Sequence, residues 1–179
     1  MAEIRIRNTN ERISGEQAVR EFLNKQDVLY EHWDAAKLPE RLQEKFALTD
    51  EDKSEILSTF DSEIRDLADR RGYKTWDVIA LSEATPNLDE LLKKFENVHT
   101  HTEDEVRAIT AGRGIFIIKG NEEVGYFDVE LEAGDVISVP EGYAHFFTLM
   151  DNRQIVAVRL FIEPAGWVAH NYDDPAFVK

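Results

Sequence analysis

The segment His99-Thr100-His101-Thr102-Glu103-Asp104-Glu105 places two histidines just ahead of three acidic residues. Side chains alternate between the two faces of a β-strand, so His99, His101 and Glu105 would project in the same direction. Two imidazoles and one carboxylate on a single face suit a divalent first-row metal such as iron, nickel, manganese or zinc. The segment therefore predicts a metal-binding strand.

A second segment supplies a further donor. It reads Gly134-x5-Pro140-x-Gly142-x2-His145 and places the histidine on a strand that directly follows a turn. Solvent-facing strands also alternate polar residues, so either segment alone could be ordinary surface. Together they favour one metal site whose predicted ligands are His99, His101, Glu105 and His145.

Composition limits the class of protein. Of the 179 residues, 42% are hydrophobic and 32% are charged, a globular balance with enough apolar side chains for a sizeable core. We therefore expect a single domain over residues 1–179. The chain contains no cysteine, so neither disulfides nor thiolate metal ligands are available.

Charge argues against two kinds of partner. Lys and Arg number 21 and Asp and Glu number 36, which gives a net charge of −15. This charge argues against nucleic acid and anionic membrane surfaces as partners. No apolar run approaches the length of a membrane span or forms a signal sequence, so we expect a cytoplasmic protein. An anionic ligand would need a local cation to offset the overall repulsion.

Residues 1–95 mix helical and strand patterns. A capping box of Thr49 and Asp52 begins the strongest predicted helix, which carries one apolar stripe and ends at Gly72. The predicted helices are Gly15–Gln26, Thr49–Arg71 and one that begins at Thr85-Pro86 and runs to Phe95, and the predicted strands are Ala2–Arg7 and Val28–Trp33.

Residues 96–170 change to a dense strand pattern. Turn residues separate six predicted strands, namely Val98–Ile109, Gly114–Ile118, Val124–Leu131, Val136–Val139, Ala144–Leu149 and Ile155–Ile162. Short strands at this spacing are typical of an antiparallel barrel or jelly roll. We predict a mainly β fold with the N-terminal helices packed outside the barrel.

The two histidine segments resemble the paired metal motifs of the cupin superfamily. Within it, the chain is similar to the acireductone dioxygenase family over nearly its whole length. The further segments that carry this resemblance include Tyr30-Glu31-His32-Trp33-Asp34, Arg71-Gly72-Tyr73, Asp104-Glu105-Val106-Arg107 and Gly166-Trp167. The resemblance implies a cupin-type barrel at residues 96–170.

The resemblance also implies a reaction. The expected substrates are dioxygen and the acireductone 1,2-dihydroxy-3-keto-5-methylthiopentene of methionine salvage, with one Fe²⁺ or Ni²⁺ per chain. The iron form would yield 4-methylthio-2-oxobutanoate and formate, and the nickel form methylthiopropionate, formate and carbon monoxide. Nothing in the ligand set selects between the two metals. We expect a monomer.

Further site residues follow from strand parity and from the resemblance. Arg107 shares the parity of Glu105 and is the first candidate to stabilise an anionic substrate, with Arg159 as the second. Phe95, Phe147 and Trp167 are expected to form an apolar wall for the methylthio tail, although aromatic residues are more often ordinary core. Ala108 stands where the family has a larger residue, which would alter the pocket wall.

Two alternatives remain open from the sequence. One is another metal-dependent cupin enzyme, such as an isomerase or hydrolase that uses zinc or manganese. The other is a non-enzymatic metal-bearing cupin. His32 has no second donor at ligand spacing and His170 follows the last predicted barrel strand, so both are expected at the surface.

Overall fold

The structure, a computed structural model, describes residues 2–163, 168–172 and 174. Among these residues, no helix is long and apolar enough to cross a membrane. The strands in this part of the chain are β1 (Glu3–Ile6), β2 (Arg12–Ile13), β3 (Leu29–His32), β4 (Thr75–Leu81), β5 (His99–Thr100), β6 (Glu105–Lys119), β7 (Tyr126–Glu132), β8 (Asp135–Val139), β9 (His145–Leu149), β10 (Ile155–Phe161) and β11 (His170–Asn171).

Two antiparallel sheets share the long strand β6. Its C-terminal half lies in the first sheet, whose order is β11-β5-β9-β6-β7-β1-β2. Its N-terminal half lies in the second sheet, between β8 and β10, with β3 and β4 as the outer strands. One strand therefore joins both walls of the barrel, and the predicted mainly β, antiparallel fold class is confirmed.

A register shift in β6 changes which residues face the interior. Ile109 pairs with Ala157 and Ala111 pairs with Val156, so the pairing passes over Thr110. An extra residue of this kind reverses the alternation of side chains beyond it. Consequently odd-numbered residues face inward before Thr110, and even-numbered ones such as Phe116 face inward after it.

The helices are α1 (Glu16–Lys25), α2 (Glu40–Gln43), α3 (Asp50–Thr59), α4 (Asp61–Arg71) and α5 (Leu88–Phe95). The side chains of α2, α3 and α4 bury the outer face of the second sheet. Those of α1 and α5 join the apolar cluster between the sheets. The helices thus cover the barrel from outside, as predicted.

The predicted helix Thr49–Arg71 is wrong in one respect, because it is two helices. Its capping box is present, and Gly72 ends α4 with a left-handed φ of 82°. Between them, Phe60 leaves the helical conformation, with φ −105° and ψ 19°, and its ring stacks on Trp33 at 5.6 Å. Burial of this ring against the neighbouring segment overrides the continuous helical pattern.

Three other expectations are corrected. The strand Thr75–Leu81 was not predicted; it is an outer strand that pairs with β10, and the burial of its side chains does not alternate. The predicted turn at residues 112–114 is instead part of β6, where the strand crosses between sheets. Ala108 faces the helix-covered cluster and not the interior, because its neighbour Arg107 points inward.

Candidate metal centre

Three histidines meet inside the barrel at the end where β5 and β9 begin. His99 pairs directly with His145 across these two strands, and His101 follows in the loop that leads to β6. One nitrogen of each ring lies within 4.8 Å of the others, and all three residues are buried. The structure therefore brings His145 together with two imidazoles that lie more than forty residues earlier in the sequence.

Each ring is oriented by a backbone carbonyl. Nδ1 of His99 donates to Asn97 O at 2.6 Å, that of His145 to Tyr143 O at 2.8 Å, and that of His101 to Val168 O at 3.2 Å. Because a carbonyl only accepts, Nδ1 must carry the proton in all three rings. In a neutral ring Nε2 is then left with its lone pair, which is the usual arrangement of a metal ligand.

Glu105 completes the group of donors. Its carboxylate lies 3.0 Å from Nε2 of His145 and 3.6 Å from Nε2 of His101. A carboxylate facing the lone pair of a neutral imidazole is unfavourable unless a cation bridges them. Ligand atoms about 2.1 Å from a metal and at right angles to one another are themselves about 3.0 Å apart. The donor set therefore fits a divalent metal.

Burial and the neighbouring ionisable groups determine the charges of His99 and Glu105. Burial and the neighbouring His145 ring lower the pKa of His99 to about 4, so that ring is neutral at physiological pH. Burial alone raises the pKa of Glu105, but the Arg107 guanidinium and the adjacent imidazoles outweigh it. They hold this pKa well below its usual value, so the carboxylate is ionised and can bind a cation.

Arg107 lies beside the donors, as strand parity predicted. It is 3% exposed, and its Nη2 is 3.5 Å from Oε1 of Glu105. Burial lowers the pKa of Arg107, whereas the Glu105 carboxylate raises it, and a guanidinium keeps its charge even so. The guanidinium carbon lies 5.1 Å from the centre of the Phe147 ring, which leaves the cation between the donors and an apolar surface.

Arg159 lies next to Arg107 but has a partner of its own. The two arginines are paired across β10 and β6, and Arg159 also forms two hydrogen bonds, of 2.8 and 2.6 Å, with the carboxylate of Asp77 on β4. The side chain of Arg159 is 25% exposed. It lies at the edge of the interior, and its catalytic role stays a prediction.

Two of the three predicted wall residues meet. The rings of Phe95 and Phe147 are 6.4 Å apart and nearly perpendicular. Trp167 lies outside the described residues. Phe116 was not predicted; its ring lies 5.1 Å from Phe147 and 6.0 Å from His145. A Cβ on Gly114 would lie 2.7 Å from the Phe147 ring, so the glycine makes room for it.

The two loops that carry the ligands are joined to each other. The N–H of Gly142 donates to the carbonyl of His101 at 2.9 Å, and the N–H of Glu141 donates to Asp104 at 3.1 Å. His32 and His170 are both exposed, as expected. Within the described ranges, no other group of three such donors is close enough to hold a metal.

Comparison with known proteins identifies the family to which this chain belongs. Residues 3–169 match the sequence profile of the ARD/ARD′ family. The chain belongs to this family. It is 73% identical to an acireductone dioxygenase of Geobacillus kaustophilus over 97% of each chain, and 59% identical to one of Bacillus cytotoxicus over 94% of this chain and 98% of the relative.

A solved structure of the ARD/ARD′ family has the same fold. The acireductone dioxygenase of Bacillus anthracis, with a cadmium ion in its active centre, superposes with a TM-score of 0.92 at 56% identity, over 94% of this chain and 97% of that one. The cupin-type barrel expected from the sequence is thereby confirmed. The histidine cluster is a metal-binding site of this family member.

Proposed function

We propose that this protein is a metal-dependent dioxygenase that cleaves an acireductone with O₂. The observation that carries the proposal is the meeting of His99, His101, His145 and Glu105 around one point, with the buried cation of Arg107 beside them. Family membership and relatives of 56–73% identity that are acireductone dioxygenases support the same activity.

The donor set suits a chelating substrate. Three imidazoles and one carboxylate fill four of six octahedral positions and leave two for a ligand with adjacent oxygens, such as an enediolate. A divalent metal held there would bind and polarise those oxygens, which favours the anionic form of the substrate. Imidazole ligands carry no negative charge, so a divalent metal held by them and one carboxylate would keep net positive charge for an anion.

The chain's own side chains bind and orient the rest of the substrate. Arg107 supplies the local cation that an anionic substrate needs against a net charge of −15. Phe95, Phe116 and Phe147 form an apolar surface next to the donors, which suits a methylthio tail and excludes water. Exclusion of water strengthens the attraction between the guanidinium and the enediolate.

The resident metal is proposed as one Fe²⁺ or Ni²⁺ per chain. Nitrogen and oxygen donors bind several first-row metals, and availability often decides which one is present. The active centre of the Bacillus anthracis relative accepts cadmium, which is consistent with a permissive site. We therefore expect the loaded metal to determine the products, with a 2-oxo acid and formate from iron, and methylthiopropionate, formate and carbon monoxide from nickel.

Oxygen consumption tests the proposal directly. Protein stripped with a chelator should consume no O₂ with the acireductone, and protein reloaded with Fe²⁺ or Ni²⁺ should consume about one O₂ per substrate. An oxygen electrode measures uptake, and chromatography with gas analysis identifies the products. Uptake that persists in metal-free protein, or none after loading with either metal, would contradict the proposal.

A further inference from the structure

Glu103 is a buried carboxylate between two of the proposed ligands. It is 7% exposed and lies two residues after His101 and two before Glu105. Its two oxygens accept different backbone N–H groups, Oε1 from Ile162 and Oε2 from Glu163, both at 3.0 Å. The short segment that carries the ligands is thereby joined to the chain that leaves β10.

The two donors that Glu103 binds lie beyond the end of a strand. The pairing of β10 with β4 ends at Phe161, and its pairing with β6 ends at Leu160. The N–H groups that follow lie beyond both strand pairings, so their acceptors come from elsewhere. A carboxylate supplies two acceptors at once, and hydrogen bonds to a charged group are among the stronger ones.

A later part of the described chain, residues 168–171, also contacts the metal centre. Val168 lies five residues after Glu163 in the sequence. Its carbonyl accepts the Nδ1 proton of His101 at 3.2 Å. Next, β11 pairs with β5, with Asn171 opposite His99. The C-terminal segment therefore contacts the strand and the loop from which two of the imidazoles project.

We propose that Glu103 is a positioning residue for the metal centre. By holding the N–H groups of Ile162 and Glu163, it fixes the segment between His101 and Glu105 to the end of β10 and so keeps the His101 ring opposite the Val168 carbonyl. The hydrogen bond to that carbonyl fixes the proton on Nδ1 and directs Nε2 toward the shared centre. When a group that orients a metal ligand is lost, the affinity for the metal commonly falls about 10- to 100-fold.

This inference rests on the metal centre of the proposed function, but its test does not depend on catalysis. The variant Glu103→Gln retains the size of the side chain and only one acceptor oxygen, so one of the two N–H groups loses its partner. Glu141→Gln is the matched control, because it makes the same change at an exposed side chain on the neighbouring ligand loop.

The primary readout is solvent exchange of the imidazole Nδ1–H protons in Zn²⁺-loaded protein, measured by NMR. In Glu103→Gln, the proton of His101 should exchange about 10-fold faster, while those of His99 and His145 stay as in the wild type. Their acceptors, Asn97 and Tyr143, lie outside the segment that Glu103 anchors. The control variant should match the wild type at all three rings.

A second readout is the release of Zn²⁺ to a competing chelator, which should be about 10-fold faster in Glu103→Gln. Glu103→Asp, which keeps the charge but shortens the reach, provides a second variant and should show the same selective change at His101. Unchanged exchange in both variants, or equal acceleration at all three rings, would overturn the inference.

Failure of the wild type to bind Zn²⁺ would overturn the metal centre and this inference together. A protein that binds Zn²⁺ and shows the selective change at His101, but consumes no O₂ after loading with iron or nickel, would contradict only the proposed function.

Discussion

Replacement of His145 by alanine is expected to strip the protein of its metal and to abolish oxygen consumption. The ring is 1% exposed, lies against His99 across the strand pair and faces the Glu105 carboxylate. Loss of a partner that only orients a ligand costs about 10- to 100-fold in affinity, so loss of a ligand should cost at least about 100-fold. Elemental analysis after gel filtration measures the metal retained.

His32→Ala is the matched control, because it removes an exposed histidine that has no place in the site. It should retain one metal per chain and full activity. Circular dichroism should show that both variants keep the β-rich fold. Full metal content in His145→Ala would contradict its assignment as a ligand.

Replacement of Arg107 by alanine is expected to lower kcat/KM by roughly 10- to 150-fold while the metal is retained. A charge-assisted contact contributes about 1.5–3 kcal/mol, and each 1.36 kcal/mol corresponds to a factor of about 10 in rate. The guanidinium is buried beside Glu105. Steady-state kinetics with Fe²⁺-loaded protein, together with metal analysis, separate the two effects.

Arg113→Ala provides the control for Arg107. Both arginines are on β6, but Arg113 lies after the register shift and is exposed. Its variant should have wild-type kinetics. Normal kinetics in Arg107→Ala would remove the assigned role, and loss of metal in that variant would show that the arginine acts on the donors instead of the substrate.

Part of the metal centre was predictable because its signal is local. The single strand predicted over Val98–Ile109 is wrong, however, because β5 ends at Thr100 and β6 begins at Glu105, so His101 lies in a loop. Alternation along a strand is enough to place Glu105 and Arg107 on one face, and the structure places both side chains in the interior. The second histidine segment was joined to the first by its residue types and by the resemblance to cupins, whereas the contact itself depends on the pairing of β5 with β9. Sequence spacing alone carries no information about that pairing.

Features that depend on tertiary packing were missed. Phe116 was not assigned to the site because the shift at Thr110 reverses the alternation of β6, and the glycines beyond it were interpreted as a turn. The break at Phe60 arises from stacking on Trp33, which the helical pattern cannot reveal. Phe116 has the same parity as Ile118, which pairs with His145, but that pairing is visible only in the structure.

The groups that orient the metal ligands could not be predicted from the sequence either. Each imidazole is oriented by a backbone carbonyl, and backbone acceptors leave no signature in residue types. In the sequence, Glu103 is one of three consecutive acidic residues, and nothing in the sequence distinguishes it from the other two. Its proposed role follows from the hydrogen bonds that it accepts from two N–H groups about sixty residues later in the chain, just beyond the end of β10.

Anomalous X-ray scattering from crystals of nickel-loaded protein tests the metal centre most directly. We expect one strong peak per chain, with Nε2 of His99, His101 and His145 and the Glu105 carboxylate each about 2.0–2.2 Å from it. A peak at any other position, or one that fewer than all four of these side chains reach, would contradict a single four-ligand centre in this barrel.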